Sequence, residues 1–328
     1  MHTLRGYGMV VGTFWAACCI AVFYYAFHQD IPERLAFAVL PALLAEVALY
    51  LGMGSPAVRA RLDAIRPTAF RAAILAASAL VPYWLYSVPT GVFDWNAFAS
   101  LALLALLAAY WFVLLPHRGA VDLLFLGFMA AIVLAKPLPG LYARPHPEVR
   151  LEFLGQLMWF RLGVLAMLSI RGVQGVGFGM FPKRHEWFIG LRYFVAFLPV
   201  AAILGYVTGF AAFGLPEMPA WKIALLGVGT FLGVLWVVAL GEEFFFRGLL
   251  QQWMTRWWGS RVLGLLACSA VFGLVHLPFR EFPNWRFALV AAVAGFFYGR
   301  AFQAAKGIRA SMVTHALVVT TWRVFFAA

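Results

Sequence analysis

The sequence predicts an all-α protein, a polytopic transmembrane helical bundle of about 10–11 spans. Of its 328 residues, 64% are hydrophobic and only 12% are charged. A soluble chain of this length needs far more polar surface to cover its core. The mean hydropathy is +0.87. Windows of the roughly 20 apolar residues that a span requires recur near 9–27, 35–54, 69–89, 96–116, 120–136, 151–170, 187–210, 220–241, 261–277, 285–304 and 310–327. Soluble enzymes, secreted disulfide scaffolds and disordered regulators are thereby excluded.

Taken in order, the first window lacks a small-residue cleavage site after it, so it reads as a retained signal-anchor helix. The second carries Glu46, and the sixth, 151–170, is interrupted by Arg161; these two can pair inside the N-terminal set. Short connections are punctuated by Pro and Gly, as in Ser55-Pro56 and Pro145-His146-Pro147. The clearest linker is 171–186, with Gly175, Gly177 and Gly179 alternating and no GxGxxG phosphate cradle. It divides the chain into N-terminal spans, 1–170, of no assigned role, and a C-terminal set, 187–328. Gly229-x-x-x-Gly233 and Gly295-x-x-x-Gly299 favour close helix packing without establishing a dimer.

The net charge of +12 fits cationic anchoring of cytoplasmic loops. No loop combines basic and aromatic residues as a nucleic-acid surface requires. Cys18, Cys19 and Cys268 lie in apolar runs and form neither a disulfide framework nor a CxxC pair. The Ala/Leu/Arg-rich style points to a bacterial inner (cytoplasmic) membrane.

Ionisable residues inside apolar helices cost several kcal/mol on insertion scales, about 2.5–3.5 at the helix centre, and each is a functional candidate. Glu242-Glu243-x-x-x-Arg247, His276 and His315 dominate. Glu243 and Arg247 stand i and i+4 and can pair, whereas Glu242 points about 100° away around the helix. One acid then serves as counter-ion, and the other, desolvated among Phe244, Phe245 and Phe246, is free to act as a general base. Gly259-Ser260 is the turn of a helical hairpin, with Glu242 17 residues before Gly259 and His276 17 after it. Equal distances from the turn mean equal depth, so the two can face each other, with Phe272 one turn from His276 walling the pocket. The depth of His315 does not match as simply. A Glu base helped by His276, with His315 stabilising an oxyanion, permits activation of water for attack on a peptide carbonyl. No HExxH, GxGD or Gly-x-Ser-Gly motif offers another protease chemistry.

Glu242-Glu243-x-x-x-Arg247, Phe272-x-x-x-His276 and His315 resemble the three motifs of the CAAX-processing and bacteriocin-processing (CPBP) intramembrane proteases, a family that includes the Ras-converting enzyme. The resemblance spans about 187–328. It implies a glutamic-type endopeptidase with no cofactor, Glu242 as base, His276 as its partner, His315 as oxyanion donor, and Glu243 and Arg247 shaping the site. Its partners would be the lipid bilayer and a membrane-embedded or lipid-modified protein cut near its C-terminus. The family's third motif usually has Asn four residues after its histidine; here that position is Val319, which cannot donate, so either Thr320 or another group substitutes or activity is weak. Two alternatives stand beside this reading. One is a zinc-dependent hydrolase with Glu242, His276 and His315 as ligands. The other is a non-catalytic scaffold or immunity protein that keeps the fold. A transporter is the weaker rival, because no repeat relates the halves.

Overall fold

A computed structural model describes residues 3–210, 212–214 and 216–327. Among these, thirteen helices are joined by short turns. They are α1 (Leu4–His28), α2 (Glu33–Gly54), α3 (Pro56–Ala64), α4 (Thr68–Ser87), α5 (Trp95–Leu114), α6 (Gly119–Ala135) and α7 (Leu138–Leu141). Then come α8 (Glu152–Ile170), α9 (Arg184–Thr208), α10 (Ala220–Trp258), α11 (Arg261–Leu274), α12 (Trp285–Ala305) and α13 (Ile308–Phe325). A two-residue antiparallel pairing sets Ala212 opposite Ala327 and Phe213 opposite Phe326.

Every apolar window overlaps one helix. Among the described residues, eight helices are long and apolar enough to cross a membrane, and α6 and α11 are apolar but shorter. Large apolar side chains point outward, as at Leu114 (76% exposed), Val207 (74%) and Leu225 (66%). With water outside, such a surface would be an aggregation hazard; with lipid outside, it is the solvated face. The chain is an integral, multi-pass membrane protein.

The chain forms two compact units, Met1–Val173 and Gln174–Ala328. In the first, α2 packs on α1, α4 and α8, and α5 packs on α4 and α8. Helix α8 is the most internal of the eight spans, and that is where the chain carries Arg161. The guanidinium survives there because it is fully partnered. Its Nε and Nη2 donate to the two Glu46 oxygens at 3.1 Å each, and Nη1 donates to Ser78 Oγ at 2.8 Å. Both ionic side chains are buried, at 1% and 0% exposure. A bidentate pair of this kind fixes the orientation of α2, α4 and α8 together.

In the second unit α9 packs on α12 and α13, α11 packs on both α10 and α12, and α13 lies against α10 and α12. The hairpin between α10 and α11 forms at the Gly259-Ser260 turn. Gly259 closes α10 in the left-handed region at φ +61°, and Ser260 Oγ caps α11 by accepting from Leu263 N at 3.2 Å. Of the glycines at 175–179, Gly177 and Gly179 are packing residues. A Cβ on Gly177, itself at φ +61°, would stand 2.5 Å from Gly307 Cα, and one on Gly248 would stand 2.5 Å from Val176. Gly295 and Gly299 face Arg247 and Gln251 within the chain, whereas Gly229 and Gly233 face open space.

Helix α10 runs for 39 residues, about twice what a span needs. It is π-helical over Val234–Ala239 and Phe244–Gln251. The apolar window ended near 241, but the helix continues past the two acids to Trp258. This overrun accounts for the unequal distances of Glu242 and His315 from their respective turns.

Breaking the Glu46–Arg161 pair from one side leaves an uncompensated buried charge. Glu46→Gln and Arg161→Met should each lower stability by about 3–5 kcal/mol, while Glu46→Leu combined with Arg161→Met should recover most of that loss. Unfolding of the detergent-solubilised protein measures both, and additive losses in the double variant would refute coupling.

Candidate active site

The candidate residues come from three helices of the second unit, α10, α11 and α13, and the turn after α11. Glu242 and Glu243 sit on α10 where the backbone passes into its π-helical stretch, a local widening often found at functional sites. His315 is at the middle of α13, and His276 lies in the turn just after α11 ends at Leu274.

Glu243 is at the centre. It is fully buried, and three side chains converge on it. His315 Nδ1 lies 2.8 Å from Oε1, Ser311 Oγ donates to Oε2, and Arg247 Nε forms an ion pair with Oε2 at 3.3 Å. Ser311 and His315 stand one turn apart on α13, so one helix face delivers both groups. With Arg247 as counter-ion the carboxylate is an acceptor, which assigns a proton to His315 Nδ1 and leaves Nε2 turned away from it.

That second nitrogen faces the other acid. Glu242 Oε2 is 3.9 Å from His315 Nε2, and the Glu242 side chain keeps 32% of its surface exposed. The separation is too long for a direct hydrogen bond. Oε2 itself has no hydrogen-bond partner among the described residues. Two adjacent acids therefore have opposite situations: Glu243 is saturated and inaccessible, and Glu242 is a partly exposed side chain whose oxygen facing His315 is buried and unspent.

Arg247 holds its charge in aromatic company. Its Cζ lies 4.4 Å from the Phe272 ring centroid and 5.6 Å from that of Tyr298, and Nη2 donates to Gly295 O at 3.2 Å. Nε and Nη1 make no hydrogen bond, so the Glu243 ion pair and the ring faces carry the rest. A Cβ at Gly295 would meet Phe272 at 3.1 Å and Nη2 at 3.3 Å, which is why that carbonyl needs a glycine to be reached.

Phe272 walls the site between the histidines, with its ring centroid 4.7 Å from His276 and 6.1 Å from His315. His276 Nδ1 lies 2.6 Å from Phe272 O. As Nδ1–H donor to that carbonyl, the neutral ring keeps its lone pair on Nε2. Among the described residues no hydrogen bond or ion pair joins His276 to Glu242. The hairpin brings His276 into the same aromatic wall without direct contact with the acid. Tyr298 stacks on His315 at 4.5 Å and 12°, fixing the imidazole plane.

Two contributors were not legible as candidates, Ser311 and Tyr298. Ser311 carried a usable signal, since it precedes His315 by four residues on the same helix. Tyr298 looked like one aromatic among many. No group of three or more His, Cys, Asp or Glu able to hold a metal ion is gathered among the described residues.

Residues 220–321 match the family of type II CAAX prenyl endopeptidases, Rce1-like. This segment is Rce1-like. The match contains Glu242, Glu243, Arg247, Phe272, His276 and His315 together, so the three motifs that resembled the CPBP proteases lie inside the Rce1-like domain. The helices before residue 220 lie outside it. No curated protein and no solved structure matches the chain significantly. Residues 220–321 are thus similar to a family of membrane endopeptidases.

The Rce1-like site also makes a stability prediction. Glu243→Ala strands the buried Arg247 and should cost about 3–5 kcal/mol. Ser311→Ala removes one hydrogen bond to the same carboxylate and should cost about 1–3 kcal/mol. Denaturant titration in detergent ranks them, and a Glu243→Ala protein as stable as wild type would refute this account of the charge cluster.

Proposed function

We propose that the chain is an intramembrane endopeptidase that hydrolyses a peptide bond near the C-terminus of a membrane-anchored or lipid-modified protein, using water activated by Glu242. The observation that carries this is the division between the two acids. Glu243 is spent on Arg247, Ser311 and His315, while Glu242 faces His315 Nε2 across 3.9 Å with an unpartnered oxygen.

That separation suits a water hydrogen-bonded to both groups. In the proposed step Glu242 takes the proton of this water as its oxygen attacks the scissile carbonyl. A protonated His315 brings Glu242, Glu243 and Arg247 to zero net charge. It then donates from Nδ1 to Glu243 and from Nε2 toward the developing oxyanion. Glu242 then gives the water's proton to the amine nitrogen as the C–N bond breaks, and His276, with its lone pair on Nε2, is its partner in activating the water. Glu243, Arg247, Ser311, Tyr298 and Phe272 orient these groups. No metal takes part in this scheme, and the setting is the bacterial inner membrane.

Val319 supplies no hydrogen bond to the oxyanion, which favours the non-catalytic reading. Against it stands Thr320, whose Oγ1 is buried without a partner among the described residues. We assign Thr320 as the second donor.

The first test compares C-termini of the host's membrane proteins, by mass spectrometry, with wild-type chain and with Glu242→Gln. Specific proteins should keep extended C-termini with the variant, and purified wild-type protein should cut them at an undiminished rate in chelator. Unchanged termini with the wild-type chain expressed would favour the scaffold, and loss of cutting in chelator would favour zinc. Once a substrate is in hand, Thr320→Val should lower kcat by about 10²–10³-fold, the usual effect of losing an oxyanion donor. Thr320→Ser should retain most activity; equal rates for the two would remove Thr320 from the site.

A further inference from the structure

The first unit, to which the proposed chemistry assigns no role, carries an apolar concavity. It is a groove of about 530 Å³ between α1, α2 and residues 148–153. Leu35, Val39 and Leu43 line it at successive helical turns of α2, so they form one continuous stripe. The stripe runs about 12 Å inward at 1.5 Å per residue. Ala21, Val22, Tyr24 and Tyr25 form the opposite wall on α1, and the buried cluster Ala26, Ile31 and Ala36 closes the floor. The groove starts at the 29–32 turn, where both helices end. Tyr24, Tyr25 and His28 mark that level as a membrane interface.

The mouth is polar and carries both signs of charge. Glu148 and Arg150 line it and are exposed. Tyr25 Oη donates to the Glu148 carbonyl at 3.1 Å, which pins this segment at the interface and leaves the carboxylate free to turn outward. Arg150 has no ion-pair partner among the described residues, whereas the neighbouring Arg144 is paired with Glu152 at 3.0 Å.

We infer that this groove binds one phospholipid of the amine-headed, zwitterionic class, with an acyl chain along Leu35, Val39 and Leu43, its phosphate on Arg150 and its ammonium on Glu148. Shape and charge select this occupant. The stripe suits a linear hydrocarbon entering from the interface, and the adjacent cation and anion match a head that carries both charges at close spacing. Lipid tails are as apolar in the bilayer as in the groove, so the chain contributes little preference of its own. The headgroup contacts must supply the selectivity.

Native mass spectrometry of the full chain in detergent tests this, with titration by phosphatidylethanolamine and, separately, phosphatidylglycerol. Wild type should hold one phosphatidylethanolamine, about tenfold tighter than phosphatidylglycerol. Ala21→Trp places an indole in the groove from an exposed position and should abolish the one-lipid adduct. Arg150→Gln, a surface change that leaves the helices intact, should lower phosphatidylethanolamine affinity about tenfold. Absence of a wild-type adduct, equal retention of the two lipids, an adduct that survives Ala21→Trp, or an affinity unchanged by Arg150→Gln would each overturn the assignment. None of these readouts depends on proteolysis.

Discussion

A fully buried carboxylate organises the second unit. Glu243 cannot remain charged in a helical membrane core unless its lone pairs are taken up, and Arg247, Ser311 and His315 take them up from two helices. The site's geometry follows from that requirement. Arg247 must lie against α12, so Gly295 must be small enough for its carbonyl to be reached. His315 must present Nδ1 inward, so Nε2 turns toward Glu242. Tyr298 and Phe272 then fill the space against His315 and Arg247 with ring faces, and their apolar contacts continue into the cluster with Phe197, Ala291 and Ala294. Desolvation, normally a cost, becomes the means of orienting the imidazole.

The first unit solves a related problem differently. Glu46 and Arg161 are matched one to one, in a bidentate pair with Ser78 as the additional acceptor. Both acid oxygens are occupied and no histidine is linked to them. The pair is closed, a joint between helices. The second unit's cluster is open on one side, because its histidine has a second nitrogen and its neighbouring acid has an unpartnered oxygen. That asymmetry, more than the presence of charge, distinguishes a candidate catalytic cluster from a structural one.

The helices were legible because the chain lies in lipid: each must satisfy its own backbone and remain apolar over roughly 20 residues, so every window found a helix. The pairing of Glu243 with Arg247 and the freedom of Glu242 were legible from local spacing. The hairpin at Gly259-Ser260 was legible from turn chemistry, and the linkage of Glu46 to Arg161 from the rarity of such residues in apolar runs. What spacing could not show is where regular geometry fails. The π-helical stretches of α10 change the rotation per residue beside the acids, and the 39-residue length of α10 exceeds a single span. The placement of His315 depends on both. The alternating glycines at 175–179 read as part of a linker, yet Gly177 is required by contact with Gly307. A glycine needed for close approach and one that loosens a linker are the same letter.

A hydrolase within a membrane must also admit its water, which the aromatic wall would exclude if it surrounded both acids equally. The two carboxylates divide this demand. One sits at 0% exposure, where the low dielectric strengthens every contact that holds His315. The other, next to it in sequence, retains 32%. Moving from 243 to 242 turns the side chain about 100° around an ordinary helix, enough to pass from the packed interior to an accessible face without altering depth. Adjacent acids therefore give a rigid anchor and a partly exposed, less committed acid within a single helical step. A single glutamate at either position would lack one of these two properties.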